Sequence, residues 1–147
     1  MSDKTIRKFF TEAEEAQIVE AIRKAELATS GEIRVHIEET CSENAFERGT
    51  EVFGMLKMHK TELHNGVLFY LATKDKKFAI IGDEGINSKV PAGFWDEIRD
   101  DMQAAFKNRD FVGGLSKGIG RSGKALLEFF PYQDGDVNEL SDEISTS

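Results

Sequence analysis

The chain predicts an α/β fold, a compact sandwich in which a small mixed sheet is flanked by helices in the order α-β-α-β-β-α-α. Three observations carry it. The segment Glu32–Glu38 alternates apolar and polar side chains with the two-residue period of a strand. The stretch from Gly66 to Gly85 is apolar apart from the charged turn 73–77 and the closing acidic turn Gly82-Asp83-Glu84-Gly85, as two adjacent strands would be. Four further segments space their apolar residues as helices do. With 147 residues and eleven phenylalanines there is material for one sizeable core and no room for a second domain.

Taken in order, Thr11-Glu12-Ala13-Glu14 has the form of a capping box, and Ile18, Ile22 and Ala25 follow on one face. A helix is expected over about 12–28, broken by Ser30-Gly31. Ile33, Val35 and Ile37 then alternate with Arg34, His36 and Glu38, which predicts a half-exposed strand. From Ser42 the period turns helical, with Ala45, Phe46, Gly49, Val52, Phe53 and Leu56 on one face. After His64-Asn65-Gly66, the run VLFYLA reads as a central strand buried on both faces. The polar turn 73–77 is so short that Phe78–Ile81 must return as an antiparallel hairpin partner. Phe94, Trp95, Ile98, Met102, Ala105 and Phe106 mark a third helix. Val112, Leu115, Ile119, Ser122, Leu126 and Phe129 mark a fourth that stops before Pro131. From Tyr132 onward there is no Lys or Arg and there are five acidic side chains, so the domain is expected to be 1–131 and the remainder, 132–147, a mobile acidic tail.

Composition narrows the partners. A net charge of −8, with nineteen basic residues dispersed among twenty-seven acidic ones, disfavours nucleic acid and anionic membranes. A phosphorylated substrate meets the same repulsion unless a bound cation reverses the local field. The first seven residues lead into no apolar signal-like run, and nowhere is there an apolar stretch of about 18 residues, so a cytoplasmic location without membrane contact is expected. The lone Cys41 fits a reducing compartment. The chain is expected to be monomeric, and no protein partner is named by its residues.

Topology brings separate segments together. A strand from Glu32 joined through a helix to a strand from Gly66 should run parallel to it by a right-handed crossover. The hairpin reverses the third strand, so Glu32, Asn65, Asp83 and Glu84 are expected at one sheet edge. Three carboxylates and a carboxamide beside glycines are hard oxygen ligands of the kind Ca²⁺ and Mg²⁺ prefer. The same residues also fit a plainer arrangement: Asp83 and Glu84 as solvated turn residues, Glu32 paired with Arg34 or a lysine, and Asn65 closing an Asx-turn.

TSGEIRVHIEE, HNGVLFYLATKDKKFAIIGDEGIN and FKNRDFVGGLSKGI together resemble the TPM domain, the module shared by thylakoid acid phosphatase, photosystem II repair and MOLO-1 proteins. The resemblance runs from about Thr11 to Pro131. It implies a compact α/β sandwich with a divalent-cation site, usually Ca²⁺ or Mg²⁺, and the acid phosphatase activity assigned to some members. The positions it would place in that site are Glu32, Asn65, Asp83 and Glu84, with Asp110 as an addition that doubles as an ordinary helix N-cap. The function expected is thus a binding or regulatory module that binds a divalent cation, Ca²⁺ ahead of Mg²⁺, with a metal-dependent acid phosphatase as the alternative. In that alternative the cation would polarise a phosphoryl oxygen and activate water. The sequence shows no nucleophile or arginine pair for it.

Other motifs fail on context. Gly118-Ile119-Gly120-Arg121-Ser122-Gly123-Lys124 mimics nucleotide loops but continues a helical pattern, so its small residues are expected to serve close helix packing. Asp134, Asp136 and Asn138 copy the start of an EF-hand loop, but Glu139 replaces the necessary glycine. Asp134-Gly135-Asp136-Val137 mimics an aspartyl-nucleophile motif without the buried strand that must precede it. Cys41 and His64 fall at opposite ends of the sheet, roughly 20 Å apart at strand rise, and cannot share a metal.

Overall fold

The computed structural model describes residues 9–27, 29–131 and 144–146. The first helix, α1 (Glu12–Glu26), opens on a complete capping box: Glu14 N–H donates to Thr11 Oγ1 at 3.1 Å, and Thr11 N–H to Glu14 Oε1 at 2.8 Å. Strand β1 spans Glu32–Glu38, and α2 (Ala45–Met55) is capped by the Asn44 side chain. A single 3₁₀ turn, Met58–Lys60, leads to the hairpin β2 (Gly66–Ala72) and β3 (Lys77–Gly82). A one-turn helix α3 (Glu84–Asn87) follows, then α4 (Phe94–Lys107) and α5 (Phe111–Phe129).

The sheet order is β3-β2-β1-β4, where β4 is Ser145–Thr146. β1 and β2 are parallel with Glu32 opposite Gly66, and β2 and β3 are antiparallel with Val67 opposite Gly82, as the crossover and hairpin arguments require. β4 was not foreseen. It lies parallel to β1, with His36 opposite Ser145, inside the segment expected to be a mobile tail; positions 132–143 of that segment, with the Asp134 and Asp136 mimics, lie outside the described residues.

One face of the sheet packs Ile33, Val35, Ile37, Phe69 and Ile80 against Ile18 and Ile22 of α1, Ile98 and Met102 of α4, and Leu115 and Ile119 of α5. The other face packs Leu68, Tyr70 and Ile81 against Val52 and Phe53 of α2, with Cys41 and Met58 completing the layer. The glycines of α5 serve this packing: a Cβ on Gly118 would crowd Met102 Sδ at 2.8 Å, and one on Gly123 would meet Ala25 Cβ at 2.6 Å. The nucleotide-loop mimic is therefore a helix face.

One expectation is corrected. Alternation in β1 predicts a solvent-facing row, yet Glu32, His36 and Glu38 are all buried. Their polar groups turn inward because other elements supply partners: for Glu38, Arg48 of α2 and Tyr70 of β2, and for His36, Ser145 of β4.

Candidate functional site

The end of the sheet where β1 and β2 begin and β3 ends is built from backbone hydrogen bonds. Glu32 N–H donates to the Asn65 carbonyl at 3.4 Å, and Asp83 N–H donates to the Gly66 carbonyl at 2.9 Å. The HNG and GDEG turns are interlocked: Ile86 N–H reaches the His64 carbonyl at 3.3 Å, and a Cβ on Gly85 would collide with the carbonyls of Leu63 and His64. Gly85 is thus a glycine because two chain segments cross there. His64 itself adopts a left-handed φ of 51°, which turns the chain into β2.

Glu32 and Asn65 are buried at this edge, and Asp83 is largely so. Asp83 caps α3 by accepting Glu84 N–H on Oδ1 at 2.8 Å, while its Oδ2 is buried with no hydrogen bond among the described residues. The His64 imidazole Nδ1 stands 3.5 Å from that oxygen. Asn65 Nδ2 donates to Ser30 Oγ at 3.4 Å. Glu32 and Asp83 flank Gly66 from either side, two strand spacings or about 10 Å apart at Cα. Met58 packs over the glycine between them. Among the described residues no three His, Cys, Asp or Glu side chains are gathered to hold a metal.

The two remaining positions differ. Glu84 joins the edge through the α3 turn but is exposed. Asp110 does not join it. Its side chain caps α5 through Gly113 N–H at 3.0 Å. The opposite end of that 19-residue helix meets the start of β1, where Ser30 N–H donates to Phe130 O at 2.9 Å. A helix of that length places Asp110 roughly 28 Å away from there.

A second polar constellation, at the other end of β1, escaped sequence reasoning. Arg48 grips Glu38 with Nε to Oε2 at 2.8 Å and Nη2 to Oε1 at 3.0 Å, and Tyr70 donates its hydroxyl to the same carboxylate. His36 Nε2 lies 3.4 Å from Glu38 Oε1, and its Nδ1 is 3.0 Å from Ser145 Oγ. Burial would raise the Glu38 pKa, but the bonds from Arg48, Tyr70 and His36, with the Arg48 charge, hold it at about 2. Burial also dominates at His36, lowering its pKa against the opposing pull of Glu38. Tyr70 is pushed above its usual range by burial and by its bond to Glu38. One signal for this cluster was present: a tyrosine in a fully apolar strand needs a hydrogen-bond acceptor, and Tyr70 lies opposite His36, two residues from Glu38.

Residues 5–125 match the TPM domain family. The chain belongs to that family. Among solved structures, the BA42 protein of the psychrophilic bacterium Bizionia argentinensis is 49% identical, with a TM-score of 0.85 over 93% of this chain and 94% of that one. The N-terminal domain of a P. gingivalis protein shares the fold at 18% identity, TM-score 0.69, over 85% and 83% of the two chains. The N-terminal domain of cg2496 from Corynebacterium glutamicum does so at 13% identity, TM-score 0.62, over 80% and 74%. No curated protein is significantly similar to the chain. Among the described residues of this TPM domain, no helix is long and apolar enough to cross a membrane.

Proposed function

We propose that this TPM domain is a cytoplasmic binding or regulatory module that takes up a divalent cation, Ca²⁺ or Mg²⁺, where β1, β2 and β3 meet. The observation that supports it is the buried Oδ2 of Asp83, an anionic oxygen that accepts no hydrogen bond among the described residues. Burying such an oxygen with no hydrogen bond and only the half-exposed His64 imidazole 3.5 Å away is costly, and a hard cation offsets that cost. Glu32 and Asn65 are the oxygen donors at the same edge, and the exposed Glu84 adds a fourth by turning inward. Asp110 is too distant to take part. When bound, the cation supplies positive charge in a domain that otherwise repels anions.

Isothermal titration of Ca²⁺ and of Mg²⁺ into the wild type and an Asp83→Asn variant tests this. Asparagine keeps the cap to Glu84 while removing the charge. Saturable binding to the wild type that weakens at least about tenfold in Asp83→Asn supports the proposal, on the scale of one lost charged ligand. Equal binding by both proteins, or none by either, overturns it.

A further inference from the structure

β3 is an edge strand with β2 on one side and, among the described residues, no strand on the other. Its pairing decides which backbone groups face outward. Asp83 N–H bonds to Gly66 O, so with the register from Val67–Gly82 to Ala72–Lys77 the backbone groups of Lys77, Ala79 and Ile81 turn toward β2. Those of Phe78, Ile80 and Gly82 turn to the open side. The Gly82 carbonyl is already closed by Asn87 Nδ2 at 2.8 Å, and Asn87 is held by Trp95 Nε1 at 2.7 Å. Among the described residues, the Gly82 N–H and both groups of Phe78 and Ile80 are left along a groove of about 480 Å³.

The groove lies between the start of α2 and the start of α4. Phe46 of α2, 58% exposed, forms one wall with Ala45. Trp95, Asp96 and Arg99 stand on the other; Arg99 is shared between Asp96 at 3.4 Å and Asp100, which lies beyond the groove lining, at 3.9 Å, so these three charges of α4 sum to −1. Donors and acceptors at two-residue spacing, between an apolar wall and a mixed aromatic and charged one, match the backbone of an extended peptide. The surplus acid of Asp96 and Asp100 over Arg99 beside the groove, in a chain of net charge −8, favours a basic one.

We propose that this groove binds an extended segment of a partner protein, alternating apolar and basic residues, as a strand added to β3. Apolar side chains would meet Phe46 and Ala45, and lysine or arginine stems would lie along Trp95 with their charges at Asp96.

A seven-residue synthetic peptide alternating valine and lysine is the probe, followed by ¹⁵N-resolved NMR on the full chain. Expected are saturable shifts at Phe78, Ile80, Gly82 and the Trp95 indole, with slowed hydrogen exchange at those three amides. A control peptide of equal charge with proline at the central position should bind at least about tenfold more weakly, because it loses ladder bonds. Asp96→Lys and Phe46→Ser, both at exposed positions, should each weaken the alternating peptide by a similar factor. Equal binding of the two peptides would reduce the effect to charge attraction and overturn the proposal. So would shifts confined to other surfaces, or concentration-dependent shifts at these amides without peptide, which would make a second copy of the chain the occupant.

Discussion

Arg48 of α2 holds the buried carboxylate of Glu38 at the end of β1 through two hydrogen bonds, 2.8 and 3.0 Å long. The pair ties the helix of the crossover to the strand before it. Arg48→Met removes the cation and leaves Glu38 as an uncompensated buried charge, a change expected to cost about 3 kcal/mol. Glu38→Gln, which keeps a hydrogen-bonding group for Tyr70, should cost less. Urea unfolding of both variants checks the order; equal losses would show that Arg48 contributes packing alone.

Acid should destabilise the fold in two steps of the same sign. His36 has a folded pKa below its ordinary 6.5, so the unfolded chain takes up its proton first. Its contribution is present above pH 6.5 and is lost as pH falls through the lower folded value. Glu38, held at about 2 against an ordinary 4.5, contributes stability above pH 4.5 that is lost between 4.5 and 2. Stability against pH, measured by denaturant unfolding, should flatten just below pH 6.5 in His36→Gln and below pH 4.5 in Glu38→Gln. A slope unchanged in either variant would contradict the assignment of that step.

The glycines of α5 should divide by their surroundings. A Cβ on Gly120 meets nothing within 4 Å, so Gly120→Ala gains helix propensity and should stabilise by about 0.5–1 kcal/mol. Gly123→Ala places its methyl against Ala25 of α1 and should destabilise by about 1–3 kcal/mol. Thermal or urea unfolding of the two variants should move in opposite directions; movement in the same direction would contradict the helix-packing role of Gly123.

Much of the fold was legible in local pattern. The strand period of Glu32–Glu38, the helical period that follows it and the shortness of the turn after Thr73 place β1 parallel and β3 antiparallel to β2, and hence Glu32, Asn65, Asp83 and Glu84 on one edge. What pattern could not supply was long-range satisfaction. Alternation alone assigns His36 and Glu38 to solvent, because their partners Ser145 and Arg48 enter from a distant segment and from the next helix. β4 is only two residues long, too short for a periodic signal. The RDF motif kept Asp110 among the candidates because spacing along the chain carries no information about which end of a 19-residue helix meets the sheet edge.

The proposed divalent-cation seat lies at the edge shared by Glu32, Asn65 and Asp83. Residue-resolved NMR during a Ca²⁺ titration, repeated with Mg²⁺, tests it most directly. Saturable shifts concentrated at Glu32, Asn65, Gly66 and Gly82–Gly85, with the Asp110 and Gly113 amides unmoved, are the expected result. Shifts centred on Asp110 or scattered over the acidic surface, or a spectrum indifferent to both ions, would contradict it.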